Sequence, residues 1–363
     1  MEGPRQPVET EWNQLVEFLN KNLRADKNWS IINEYPTALN PQNLHNIRIF
    51  KNENSVVSHA VVKPLVVKSP HVIFKVAAIG SVITDEGHRD QGLSKQIIKD
   101  CVQLAEKQNC DLAILWTNLF DFYRKMNFEL AGSEISFIVD KTLSEPQPGI
   151  RFSADNKVAA EAILRLYSQH SVASARTLDE TKKFLSIPQT KIYTAWDPNN
   201  QLVAYAIEGK GADLGGYIHE WGGSVTHLTS LLSFIYKTTN STKTLIVPRH
   251  SANLIQKLKS YNLVYNEGFL GMIRILGFDQ LSAKIKRAFR TEGCPDIVLE
   301  KRNDLFVFGI GTEIVTISAE ADLTRLLFGP VDYKALDMFS DAALAKIEKV
   351  LPLPLWIWGW DSV

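Results

Sequence analysis

The segment Val82-Ile83-Thr84-Asp85-Glu86-Gly87-His88-Arg89-Asp90-Gln91-Gly92-Leu93-Ser94 constrains this chain more than any other. An apolar run ends at a polar turn, the turn ends at Gly92, and a helical apolar period starts at once. Leu93, Ile97, Ile98, Cys101, Leu104 and Ala105 fall on one face, with Lys95, Lys99, Asp100, Gln103 and Lys107 on the other. A strand therefore delivers a short loop to a helix N-terminus. The first-turn N–H groups of a helix have no internal partner, and the helix dipole adds partial positive charge there. Such a junction suits a pyrophosphate without many cationic side chains. A side chain on Gly92 would hold phosphates away from the backbone. No Gly-Lys-Ser/Thr follows, and the glycine spacing is not that of a dinucleotide fingerprint.

The elements around this junction repeat. Strand-like runs are expected at 47–50, 55–67, 72–84, 112–116 and 134–139, with helices at 9–23 and 120–126. The same order returns as strands at 192–196, 202–208, 216–221, 244–247 and 268–276 and helices at 226–236 and 251–258. A weak internal duplication follows, with Ser144-Glu145-Pro146-Gln147-Pro148-Gly149 as the linker. The remainder reads as a small α+β unit with strands at 304–309 and 313–317. The expected division is 1–145, 146–277 and 278–363.

The loop pattern Arg89-x-x-Gly92-x-Ser94 resembles the pyrophosphate loop of the GNAT superfamily of acyl-CoA-dependent N-acyltransferases, Gln/Arg-x-x-Gly-x-Gly/Ala. Ser94 departs from it by one hydroxyl. Downstream, Asn118-Leu119-Phe120-Asp121-Phe122-Tyr123-Arg124-Lys125-Met126-Asn127-Phe128 is similar to that family's Phe-Tyr-x-x-x-Gly-Phe segment, with Asn127 in place of the glycine. Asn tolerates a left-handed backbone, so a helix can still end there. The resemblance implies an α/β (α+β) fold of two tandem GNAT-like mixed-sheet domains. It implies acetyl-CoA as cosubstrate, with Val82, Ile83 and Thr84 on a splayed strand and Arg89, Asp90, Gln91, Gly92, Leu93 and Ser94 wrapping the pyrophosphate. Asn118 is a further cofactor contact, and Tyr123 matches the general acid that protonates the departing sulfur.

The second-half junction, Glu220-Trp221-Gly222-Gly223-Ser224-Val225-Thr226, lacks the Arg-x-x-Gly pattern, so one cofactor site per chain is expected. A degenerate second half followed by a small final domain resembles the enhanced-intracellular-survival type of acetyltransferase, whose last domain is sterol-carrier-protein-like. Asp322-Leu323-Thr324-Arg325-Leu326-Leu327-Phe328-Gly329 and Leu353-Pro354-Leu355-Trp356-Ile357-Trp358-Gly359-Trp360 fit that similarity. In those proteins the terminal carboxylate helps deprotonate the acceptor. Here that implies Val363, with Asp361 beside it and a solvent-relayed Glu220 as the next candidate base. Trp356, Trp358 and Trp360 are expected to anchor the tail by burying their rings.

Composition narrows the function classes. Forty basic residues balance forty acidic ones, which leaves no field for nucleic acid or an acidic membrane surface. Cys101, Cys110 and Cys294 and eight scattered histidines show no metal-ligand spacing, so no metal is expected, and the thiols read as reduced in a cytoplasm. The apolar end is broken by Pro352, Pro354 and Gly359, and the start lacks an apolar leader pattern. The combined expectation is a cytoplasmic N-acetyltransferase acting on a small-molecule or peptide amine by direct attack on the thioester. The competing class is a non-catalytic acyl-CoA-binding sensor. The acceptor's identity and the oligomeric state stay open.

Overall fold

The computed structural model describes residues 1–331, 333 and 339–363. The first third runs β1 (Glu2–Arg5), α1 (Trp12–Leu23), β2 (Ile47–Asn52), β3 (Ser55–Lys68), β4 (Ile73–Thr84), α2 (Leu93–Lys107), β5 (Leu112–Leu115), α3 (Phe120–Arg124), β6 (Glu129–Ala131) and β7 (Glu134–Val139). The second runs β8 (Arg151–Ser153), α4 (Ala160–Tyr167), β9 (Ala173–Ser174), α5 (Leu178–Leu185), β10 (Lys191–Trp196), β11 (Leu202–Lys210), β12 (Asp213–Gly223), α6 (Val225–Thr239), β13 (Lys243–Pro248), α7 (Ala252–Ser260), β14 (Tyr265–Gly268) and β15 (Gly271–Ile275). The last runs α8 (Phe278–Thr291), β16 (Ile297–Arg302), β17 (Leu305–Ile310), β18 (Glu313–Ile317), α9 (Glu320–Phe328) and α10 (Asp341–Ile347).

The strands form three sheets: β1-β2-β3-β4-β5-β15-β6 with β9 attached to β3, then β14-β7-β13-β12-β11-β10-β8, and β16-β17-β18. Both large sheets are mixed, because β4–β5 and β12–β13 are parallel pairs among antiparallel ones. The periodicity that marked α2 holds: Leu93, Ile97, Ile98, Cys101, Val102 and Ala105 are buried and share a cluster with Ala77 and Ile79 of β4. The opposite face of β4 places Phe74, Val76 and Ala78 in the large cluster that continues into the rest of the chain. A strand covered on both faces reads as a continuous apolar run, as 72–84 does.

The strands expected to close each half change places. β7 lies between β13 and β14 of the second sheet, and β15 lies between β5 and β6 of the first. The chain crosses at two short connections, and Gly132 meets Leu270 where they pass. Gly132 has φ 72, and a Cβ there would stand 2.6 Å from the Leu270 Cβ. Each sheet therefore contains strands from both sequence halves. Among the described residues, no helix is long and apolar enough to cross a membrane.

Candidate active site

β4 and β5 pair only at Val76–Leu112, Ala77–Ala113 and Ala78–Ile114. β4 then continues to Thr84 against β3 alone, through Gly80, Ile83 and Thr84. Its register breaks at Ser81, whose φ of 50 is left-handed, and His59 Nδ1–H donates to the Ser81 carbonyl at 2.8 Å. The strands part beyond Ala78, leaving backbone hydrogen-bonding groups free along one edge of β4. Val82 packs toward the α2 cluster and Ile83 toward the α1 cluster.

At the end of this slot the loop turns through two left-handed residues, Asp90 (φ 62) and Gly92 (φ 74). Gly92 caps α2 without a side-chain hydrogen bond. The N–H groups of residues 90–95 find no acceptor among the described residues. That is a row of donors aimed at one space. A Cβ on Gly92 would meet nothing within 4 Å, so the requirement for glycine comes from its backbone angle and from open space that a phosphate fits. Arg89 and Gln91 are exposed beside it. Ser94 spends its extra hydroxyl on a contact within the fold. Its Oγ bonds Thr84 Oγ1 at 2.8 Å, and Thr84 Oγ1 lies 2.8 Å from Ser58 Oγ. This chain ties α2 to β4 and leaves only backbone groups of Thr84 for a ligand.

Tyr123 sits on α3 with 6% exposure, edge-on to Phe122 and Phe128. Its hydroxyl has no partner among the described residues, and burial, helped by the nearby Cys101, pushes its pKa up to about 12. Asn127 ends the helix with φ 62, and its glycine-like role is thereby filled. Asn118 is exposed in the loop after β5.

The chain end returns to β4 from the other face. Trp356, Trp358 and Trp360 are all buried. Trp358 packs edge-on to Trp221 at 5.2 Å and donates to the Val172 carbonyl, while Trp360 stacks on Phe184 at 5.7 Å. Each buried indole contributes roughly 4–6 kcal/mol of transfer free energy, enough to dock a short tail. Val363 packs against the α1 cluster, as Ile83 does, and a Cβ built on Gly80 would collide with the Val363 carboxyl carbon and oxygen. Tyr123 and Val363 thus flank the free stretch of β4, one from each face. The terminal carboxylate has no ion-pair partner among the described residues.

Val363 also lines a cavity of about 370 Å³ between the two large sheets. Tyr35, Trp116, Glu134, Lys210, Asp213, His219, Leu270 and Trp356 are among the other residues of its walls. Strand exchange brings Glu134 and Leu270 there. His219 Nε2–H donates to the Gly209 carbonyl at 3.0 Å, and burial pushes its pKa down to about 4, so the ring is neutral.

Glu220 is corrected as a candidate base. It is fully buried away from this cavity, gripped by Arg176 through two 2.7 Å bonds. Asp361 accepts from the same guanidinium at 2.9 and 3.0 Å and from the Tyr167 hydroxyl at 3.1 Å. Burial alone would raise the Asp361 carboxyl, but Arg176 and Lys63 outweigh it and hold it below its ordinary range. Both carboxylates belong to the tail anchor. Sequence reading missed Arg176, Lys63 and Lys210. Lys63 and Lys210 did leave a signal, Lys63 as a cation inside the apolar run of β3 and Lys210 as the one cation of β11.

The second-half junction is closed by its own residues. β12 and β13 also part after Ile218–Leu245, but the Trp221 indole N–H crosses to the Ile246 carbonyl at 3.0 Å. Ser224 caps α6 by accepting from the His227 N–H. One first-turn donor of α6 is thereby taken up by the cap.

Residues 4–131 match the family model described as acetyltransferase (GNAT) domain. No curated relative matches the chain by sequence. Three solved structures share its fold over nearly their whole length. A probable N-acyltransferase from Enterococcus faecalis is 16% identical, with 97% of this chain and 96% of that one covered at a TM-score of 0.65. A GCN5-related N-acetyltransferase from Anabaena variabilis is 15% identical, with 99% of each chain covered at 0.66. Eis1 from Mycobacterium abscessus is 10% identical, with 99% of each covered at 0.64. The mixed α/β fold is therefore common to all four chains.

Proposed function

We propose that this chain, whose residues 4–131 match the GNAT acetyltransferase family model, transfers an acetyl group from acetyl-CoA to an amine by direct attack on the thioester. The reading rests above all on one observation: the carboxyl group of Val363 lies against Gly80 of the splayed strand, and Val363 lines the cavity between the sheets. Bound acetyl-CoA supplies the activated acyl carbon. The remaining work falls to groups of this chain.

The N–H groups of Asp90, Gln91, Gly92, Leu93, Ser94 and Lys95 bind the pyrophosphate, with Arg89 at the rim. The free edge of β4 at Val82, Ile83 and Thr84 hydrogen-bonds the pantetheine amides, and Asn118 adds a contact from the loop after β5. An amine with a lysine-like pKa of about 10.4 costs roughly 4.6 kcal/mol to deprotonate at neutral pH. The Val363 carboxylate accepts that proton, and its charge attracts the ammonium beforehand. Tyr123 O–H donates a proton to the leaving sulfur. Its raised pKa keeps it protonated through the working range.

The acceptor enters between the aromatic faces of Tyr35, Trp116 and Trp356, which favour a cation, with Glu134 as a further carboxylate. A small-molecule amine fits a space of this size, and so does a slender peptide N-terminus. The test is thiol release from acetyl-CoA over a panel of amines. It is run on the native protein and on one with a few glycines appended after Val363. Amine-dependent release that falls about 100-fold on extension, with KM for acetyl-CoA unchanged, supports the reading. Tight CoA binding without turnover on any amine would turn it toward the sensor.

A further inference from the structure

Lys210 is a buried cation with no carboxylate within 4.0 Å among the described residues. Its partners are oxygens of the chain end instead. The Nζ donates to the Ser362 carbonyl at 2.6 Å, the Gly359 carbonyl at 2.9 Å and the Ser362 Oγ at 3.2 Å, with the Trp360 carbonyl at 3.5 Å. The Tyr35 ring lies 4.6 Å away on another side. An ammonium has three donors and needs them satisfied when desolvated. The tail's carbonyls meet that need within one turn of chain.

The backbone is shaped to aim this side chain inward. Lys210 stands between Gly209 (φ 76) and Gly211 (φ 59), at the end of β11 where its pairing with β12 is irregular. A Cβ on Gly211 would run into the Glu34 side chain, and a Cβ on Gly209 would stand 2.7 Å from the Gln189 carbonyl oxygen. Two left-handed glycines packed this tightly fix the direction in which Lys210 points. Opposite it, Gly359 passes over His219 so closely that any side chain there would strike the imidazole. The chain end is therefore held at Gly359 by contact and at Ser362 by Lys210, one residue before the carboxylate.

We propose that Lys210 is the positioning residue for the reaction: by gripping the Ser362 and Gly359 carbonyls it sets the Val363 carboxylate against β4. This rests on the reading of that carboxylate as the base. Arg176 and Lys63 hold Asp361 further back. They secure the tail to the body, while Lys210 alone grips the residue adjoining the terminus. Burial, with the nearby Lys63, pulls the Lys210 pKa down to about 7, and Asp361 and Asp213 supply opposing charge at longer range.

The test is a double-mutant cycle on the full chain, combining Lys210→Met with the glycine extension after Val363. Lys210→Met should lower kcat at least 10-fold with KM for acetyl-CoA within twofold. In the extended protein, where the carboxylate is already displaced, the same substitution should cost almost nothing more. Losses that multiply would overturn the proposal, as would an unaltered kcat in Lys210→Met. If instead the glycine extension itself costs nothing, the carboxylate reading fails and not the grip. Lys210→Gln keeps a donor of shorter reach and should recover part of kcat. Carboxypeptidase release of Val363 gives a readout independent of activity, and serves if the methionine variant does not fold. Lys210→Gln should release Val363 faster than the native chain, and an equal rate would sink the grip.

Discussion

A methyl group on Gly80 would stand 2.6 Å from the carboxyl oxygen of Val363. The last residue of the chain thus closes on the only glycine of β4, 283 positions earlier in sequence (363 − 80). Gly80→Ala should push the carboxylate off the strand while leaving the phosphate loop alone. We expect kcat to fall about 100-fold, near the bottom of the range for a lost general base, with acetyl-CoA affinity retained. Steady-state kinetics measure this, and full activity in the variant would remove the carboxylate from the mechanism.

Gly92→Val puts a β-branched side chain at φ 74, a strain of roughly 1–2 kcal/mol, and fills the space in front of the free donors. Titration calorimetry should show CoA binding lost. Ser224→Ala at the second junction is the matched control. It should cost about 1 kcal/mol of stability through its lost cap and leave one CoA bound per chain. A second CoA per chain, or undiminished binding to Gly92→Val, would contradict the assignment.

Tyr123→Phe removes a hydroxyl that has no partner among the described residues, so stability should barely change. With Tyr123 acting only as sulfur departs, kcat should drop about 100-fold while KM for acetyl-CoA holds. Because burial pushes this phenol up to about 12, the native kcat should show no descending limb from its ionisation below about pH 11. Equal kcat in the two proteins, with chemistry limiting, would make Tyr123 a packing residue.

His59 and His219 are buried and neutral, their pKa values pushed by burial from 6.5 down to about 4. Between those values the unfolded chain binds protons that the folded chain does not, so stability falls as pH drops through that window. Each ring contributes about 3 kcal/mol to the change. Asp361, held low by its cations, adds a loss of the same sign at more acid pH. Thermal melts from pH 7 to 4 should therefore show a steep decline in Tm, shallower in His219→Gln. A flat profile would mean that these rings carry charge in the fold.

What the amino-acid sequence determined was local. Apolar residues from Leu93 to Ala105 repeat at helical spacing, Val72 to Thr84 form a mostly apolar run interrupted by Lys75, and Gly92 sits where one gives way to the other. Neighbouring residues set dihedral preference and burial pattern, so the slot, the loop and the helix on it were legible in the order of residues alone. The difference of the second junction was legible too, because residues 220–226 lack the Arg-x-x-Gly pattern. Tertiary structure alone decided the exchange of β7 and β15, since alternating strands such as Glu134–Val139 pair as well with one sheet edge as with another. The two connections pass each other at Gly132 and Leu270. It also decided that Glu220 holds Arg176 rather than facing the cavity, and that Lys210 meets Ser362 across 152 positions. Contacts at such separation leave no period in the sequence. They exist only once three cores have condensed and a desolvated cation must find oxygen wherever the chain end brings it.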